Sequence, residues 1–169
     1  MIKHIPHSST YIPYECKCFI GKQIDLSDKG VIEIFGSDDA LIFPVSRLIC
    51  DVERLEKDEP MDAKGMGICY THNANLEPMR IVSEEEKQYI LNNYYYPHHK
   101  MLEIMTEREL AEYGEAVIID CHTYRKEPWP YEDDSKKRPH ICIGFDEESW
   151  VSDYIWRFLD NELGYSKYT

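Results

Sequence analysis

Ala116-Val117-Ile118-Ile119-Asp120-Cys121-His122-Thr123-Tyr124 is an apolar run that ends in an acid, a thiol and an imidazole. Four consecutive aliphatic residues, preceded by Gly114 and followed by a loop holding Pro128 and Pro130, read as a short strand buried on both faces, as in the centre of an α/β sheet. His122 then lies just past the carboxyl end of that strand, where ligands collect in open α/β sheets. On residue type alone, an Asp-x-His at that place is as often a structural pair as half of a site.

Working outward, Ser83-Glu84-Glu85-Glu86 announces a helix. Ser83 is the N-cap, Glu86 its reciprocal partner, and the acids complement the positive end of the helix dipole. The helix is expected over 84–95, interrupted or kinked at Pro97, with the apolar pattern resuming through Leu102, Met105, Leu110 and Tyr113 to a stop at Gly114. His98 and His99 sit at the kink. Neighbouring helical residues diverge by about 100°, so only one of them faces a given metal; a tyrosine-rich packing face with surface histidines is the competing reading. On the other side, 125–137 is a long loop of the kind that carries function. Ile141-Cys142-Ile143-Gly144-Phe145 reads as another buried strand, and Ser149 opens an amphipathic helix with Trp150, Tyr154, Ile155, Phe158 and Leu159 on one side.

Nearer the N-terminus, His7 follows a short apolar start broken by Pro6. Residues 31–35 suit a short strand or helix, and Ser37 or Asp38 is placed to cap a helical turn over Ala40-Leu41-Ile42-Phe43. Residues 45–54 read as a buried strand with Arg47, Asp51, Glu53 and Arg54 at its ends. Those charges are either a solvated face or a paired arginine site for a carboxylate. Gly65-Met66-Gly67 leads a further expected strand through Tyr70, and a Gly-x-Gly without a third glycine assigns no nucleotide. Strands alternating with helices predict a layered α/β fold, and 169 residues suit one domain over 1–169.

Composition narrows the function. Nineteen basic against thirty-two acidic residues give a net charge of −13, which disfavours nucleic acid and anionic membrane surfaces. Neither a membrane span nor a signal-peptide hydrophobic region is visible, so a soluble cytoplasmic protein is expected. Of the six cysteines only Cys16 and Cys18 are closely spaced, and no second pair completes a zinc cluster. Free thiols are expected. His7 and His122 each end an apolar segment beside hydroxyl or acid groups. Catalytic zinc sites take three ligands from histidine and carboxylate, so a third ligand such as Asp39 would complete one.

Six stretches carry a resemblance. Ile5-Pro6-His7-Ser8-Ser9, Ser46-Arg47-Leu48-Ile49-Cys50-Asp51-Val52-Glu53-Arg54, Gly65-Met66-Gly67-Ile68-Cys69-Tyr70, Tyr95-Tyr96-Pro97-His98-His99, Asp120-Cys121-His122-Thr123 and Arg138-Pro139-His140-Ile141-Cys142-Ile143-Gly144 resemble, in order, the motifs of the N-formylglutamate amidohydrolase family. The resemblance implies a zinc carboxypeptidase-like fold, a three-layer α/β/α sandwich with a mixed, largely parallel sheet, and hydrolysis of an amide beside a carboxylate-bearing amino acid. It implies zinc on His7 and His122, with Asp39 as third ligand because Ser37-Asp38-Asp39-Ala40-Leu41 is similar to the family's Thr-Asp-x-Leu segment; Asp38 is the alternative. Arg47 and Arg54 would clamp the substrate carboxylate, and His99 and Arg138 fall on recurring family positions, taken as substrate-binding. Glu53 replaces the family's usual asparagine.

The resemblance also implies a carboxylate general base on a late strand, beyond the segment similar to residues 158–166. With Thr169 as the last residue, that carboxylate is expected to be absent and the catalytic base is unassigned. Glu127 and Glu132 are the candidates from another loop. Two functions follow: a zinc amidohydrolase, or a family member that binds metal or a carboxylate ligand without turnover.

Overall fold

The computed structural model describes residues 1–16, 19–132 and 138–144. The chain forms two compact units, Met1–Asp134 and Ser135–Thr169, and the elements below belong to the first.

Among the described residues its sheet has three parallel strands: β1 (Ile2–Ile5) in the centre, β2 (Ala40–Ile42) on one side and β3 (Ile118–Asp120) on the other. With its helices this is the α/β class expected. The register pairs His4 with Leu41 and with Asp120. The Cys121 N–H continues the ladder onto the His4 carbonyl at 2.8 Å, and Pro6, which has no N–H to give, ends β1. His7 and His122 therefore leave the same, carboxyl edge of the sheet.

Five local expectations change. The central strand is β1, whose Ile2 and Ile5 are 2 % and 0 % exposed; the opening apolar run supplies β3, where Ile118 and Ile119 are 41 % and 40 % exposed. An unbroken aliphatic run cannot by itself separate a central from an edge strand. Residues 40–42 are strand rather than helix, because β2 pairs directly with β1. Residues 45–54 are buried as expected but are turns, not a strand. Local bonds win there: the Ser46 carbonyl accepts from the Ile49 N–H at 2.9 Å, and Asp51 Oδ1 accepts from the Glu53 N–H at 3.1 Å. Residues 65–71 are likewise turns, with Gly65 at φ 67° closing a 3-10 turn over Pro60–Lys64. The described part of the 141–145 segment is irregular, and the helix expected from Ser149 lies outside the described residues.

The helical reading holds in its signals. The Ser83 hydroxyl accepts from the Glu86 N–H at 3.1 Å at the start of α2 (Glu84–Ile90), which follows the short α1 (Val31–Phe35), and Gly114, at φ 76°, closes α3 (Tyr96–Tyr113). Between α2 and α3 lies a π turn, Leu91–Tyr95. Pro97 has no N–H for the residue four before it and its ring crowds that carbonyl, so the chain widens ahead of it rather than breaking. Tyr95 donates its hydroxyl to the Arg54 carbonyl at 2.8 Å, which ties this turn to the charged segment.

The main core gathers Phe43, Val45, Ile49, Val52, Ile90 and Tyr95; a second packs Leu48, Met66, Tyr70 and Met79. No helix among the described residues is long and apolar enough to cross a membrane. Cys50, Cys69, Cys121 and Cys142 are free thiols. Burial pushes the Cys69 thiol up to about 11 and the Cys50 thiol well above the ordinary range. Iodoacetamide at pH 8, read by peptide mass mapping, should label exposed Cys142 in the folded protein and reach Cys50 and Cys69 only after denaturation.

Candidate metal centre

Three segments meet past the carboxyl edge of the sheet: the turn after β1, the 51–54 turn, and the residues after β3. The His7 side chain is 1 % exposed and sets Nε2 2.9 Å from Asp51 Oδ1. Its Nδ1 lies 3.3 Å from Glu53 Oε2 and has no hydrogen-bond partner. His122 places Nδ1 2.9 Å from Asp28 Oδ2 and Nε2 3.0 Å from Glu53 Oε1. The two rings are 5.3 Å apart. Each imidazole thus rests one nitrogen on a buried carboxylate and turns the other toward Glu53. With a cation bound between them, Nε2–H of His7 donating to Asp51 and Nδ1–H of His122 donating to Asp28 would leave the two inward nitrogens as lone pairs. This is the carboxylate–histidine arrangement that orients metal ligands.

His7, Glu53 and His122 offer ligand atoms all within 4.8 Å of one another. Two imidazole nitrogens and a carboxylate oxygen, with one buried nitrogen left without a partner, fit a divalent cation and leave a fourth position for water or substrate.

Asp51 is the electrostatic anchor. Burial alone would raise its carboxyl, but Arg47, the hydrogen bond and charge of His7, and Arg54 outweigh burial and hold it well below the usual carboxylate range. Arg47 donates from Nε and Nη2 to Asp51 Oδ2 at 3.3 and 2.7 Å, and Tyr70 donates its hydroxyl to the same oxygen at 2.7 Å. Arg54 Nε is 3.4 Å from it. His122 shows the opposite balance: burial disfavours its charge, but Asp28 and Glu53 on its two nitrogens raise it to about 10.

Of the residues named from the sequence, His7 and His122 come together, with Arg47 and Arg54 one step behind through Asp51. His99 stacks on Tyr95 at 4.3 Å between ring centroids, bonds the Val52 backbone, and has a buried Nε2 without a partner. Asp39 is not brought in. It stands exposed in a left-handed turn at φ 56°, before β2 and level with Ile2 in the register, at the amino edge of the sheet. At about 3.3 Å per residue that is on the order of 16 Å from the histidine edge. Asp38 is exposed in the same turn. The carboxylate that the fold sets beside His7 and His122 is that of Glu53. Arg138 lies in the second unit, so no place in this site is assigned to it. Glu127 is exposed, and Glu132 accepts the Trp129 N–H at 2.6 Å.

Sequence reasoning passed over Asp28 and His4 as site residues, and weighed Glu53 and His98 without assigning them to the site. Glu53 carried a signal, an acid two residues from Asp51 in an otherwise apolar segment, but the strand reading pointed it at a solvated end. Asp28 reaches the site only because its N–H bonds the His7 carbonyl at 2.9 Å, a contact between separate loops that no local pattern announces.

The model of one protein family, N-formylglutamate amidohydrolase, matches residues 1–168. The chain belongs to the N-formylglutamate amidohydrolase family. The match spans both compact units, and by its name the family is one of hydrolases acting on the amide of an N-formylated glutamate. Neither the curated proteins nor the solved structures give a match.

Proposed function

We propose that this protein is a zinc-dependent amidohydrolase that cleaves the amide bond of a small N-acylated, typically N-formylated, acidic amino acid. The observation that carries the reading is the partnerless, buried Nδ1 of His7 turned toward Glu53 and His122, in a chain of this amidohydrolase family. His7, Glu53 and His122 would hold the ion, and the nitrogen-rich ligand set suits zinc. Bound there, zinc supplies Lewis acidity to the scissile carbonyl and to the attacking water.

The protein's own groups then divide the work. Asp51 and Asp28 keep the two imidazoles in the tautomers that point lone pairs inward. Arg54, whose side chain is 22 % exposed although its Nε faces Asp51, meets the substrate carboxylate, while Arg47, spent on Asp51, fixes the turn that carries Arg54 and Glu53. His99 offers its Nε2 as a further polar contact. The free thiols support a reducing, cytoplasmic setting, and the parallel sheet with its helices supports the three-layer α/β/α architecture.

A second reading, ligand binding without turnover, is favoured by one observation: Glu53, Asp28 and Asp51 are each committed to an imidazole, which leaves the proton-accepting carboxylate unassigned. Purified protein tested by elemental analysis and by formate release from N-formylglutamate separates the two. Zinc with formate release supports the enzyme, zinc without release from this or related N-acyl amino acids leaves the binding reading, and protein that binds no zinc overturns both.

A further inference from the structure

Asp120 and His4 form a second constellation beside the first. His4 is buried in the central strand, its side chain 5 % exposed, and Asp120 pairs with it across β1 and β3. His4 Nδ1 stands 2.5 Å from Asp120 Oδ1, and His4 Nε2 stands 2.8 Å from His98 Nε2 on α3. His4, Glu53 and Asp120 offer ligand atoms within 4.8 Å of one another, and Glu53 is also the acid of the His7 and His122 group. Its two oxygens already diverge, Oε2 toward His7 and Oε1 toward His122.

We propose that the site holds two divalent cations, one on His7, His122 and Glu53 and a second on His4, Asp120 and Glu53, with the Glu53 carboxylate bridging them. The inference rests on the metal reading of the first group. Three features support it. A carboxylate common to two ligand groups suits the bridge of a two-metal hydrolytic site, where the ions lie about 3.5–4 Å apart. His4 repeats the design of the other two histidines, one nitrogen on a supporting group, here His98, and the other on the acids. His4 Nδ1 and Asp120 Oδ1 already lie within hydrogen-bond distance, and a cation on the same two atoms would replace the proton between them as they part to ligand spacing.

Charge points the same way. Arg47 and Arg54 both pair with Asp51, and among the described residues the ion pairs of Asp28, Glu53 and Asp120 are with imidazoles. Three carboxylates and the carboxylate of an anionic substrate together match two dications. The second group has one nitrogen and two oxygens against two nitrogens and one oxygen in the first, so it is the weaker site for zinc or cobalt and fills second.

The test is a metal titration of stripped full-length protein with Co²⁺, followed by Mn²⁺ loading and electron paramagnetic resonance. The wild type should take up about two equivalents in two phases, and the Mn²⁺ spectrum should show exchange coupling through the bridge. Asp120→Asn keeps the side-chain shape and removes the charge; it should retain the tight equivalent, lose the weak one and lose the coupling. Wild-type protein saturating at a single equivalent with an uncoupled spectrum overturns the second cation and leaves the first group standing. Two equivalents in Asp120→Asn overturn the ligand assignment. No binding at all in the wild type overturns the inference together with the metal reading beneath it.

Discussion

Asp51→Asn should destabilise the protein by about 3–5 kcal/mol, the cost of removing one member of a buried ion-pair network. Asp51 is fully buried and takes Arg47, Tyr70 and His7 on its two oxygens, with Arg54 alongside. Asparagine keeps the shape but loses the charge, leaving two guanidinium groups with no carboxylate between them. Chemical denaturation followed by circular dichroism reads the change. Its pH dependence identifies the cause. The folded carboxyl lies well below its unfolded value of about 3.9. The group's contribution is therefore fully present above about pH 4 and is lost as the pH falls below it. The wild type and Asp51→Asn should converge in stability toward low pH. A difference that stays constant from pH 7 to pH 3 would mean that packing, not charge, sets the effect.

Glu53→Gln should have the larger effect on activity. The substitution keeps the side-chain volume, but an amide is a poor ligand, so the ion loses its anionic partner and, with two cations, its bridge. Loss of Lewis-acid stabilisation worth several kcal/mol corresponds to a drop in kcat/KM of about a thousandfold or more. His7→Ala should do the same. In both, zinc content by elemental analysis falls with activity, whereas Asp39→Ala, at the far edge of the sheet, should leave both unchanged. Loss of zinc in Asp39→Ala with retention in Glu53→Gln would reverse the ligand assignment.

The parts of this site that were legible in the sequence are those with a local cause. His7 follows a proline that ends a strand, His122 follows an apolar run, and Ser83 and Gly114 bracket the helical segment, each announced by residues within a few positions. What stayed hidden depends on register. Whether a short aliphatic run is central or at an edge, and whether Asp39 lies at the histidine edge or the opposite one, follows from which strands pair and at what offset. The 45–54 segment misled for another reason: its apolar residues are buried as in a strand, but Ser46 and Asp51 bond their own backbone and coil the chain into turns. That coiling, rather than an extended course, puts Asp51 and Glu53 on the same side, one behind His7 and one in front of it.

The π turn ahead of Pro97 acts as a phase shifter. α2 commits Ile90 to the main core, and α3 commits His98 to His4. On a regular helix residues eight apart lie about 80° round the axis from one another, and the extra residue in the wide turn brings them to within about 20°. Removing a residue from this turn would rotate α3 by about 100° relative to α2, so one obligation would be met only at the expense of the other. Asn92 and Asn93 are exposed, and the bonds their side chains make are local ones, from Gln88 and to the Tyr89 carbonyl; what the packing fixes is their number. Spacing, rather than side-chain chemistry, is what this part of the chain must preserve.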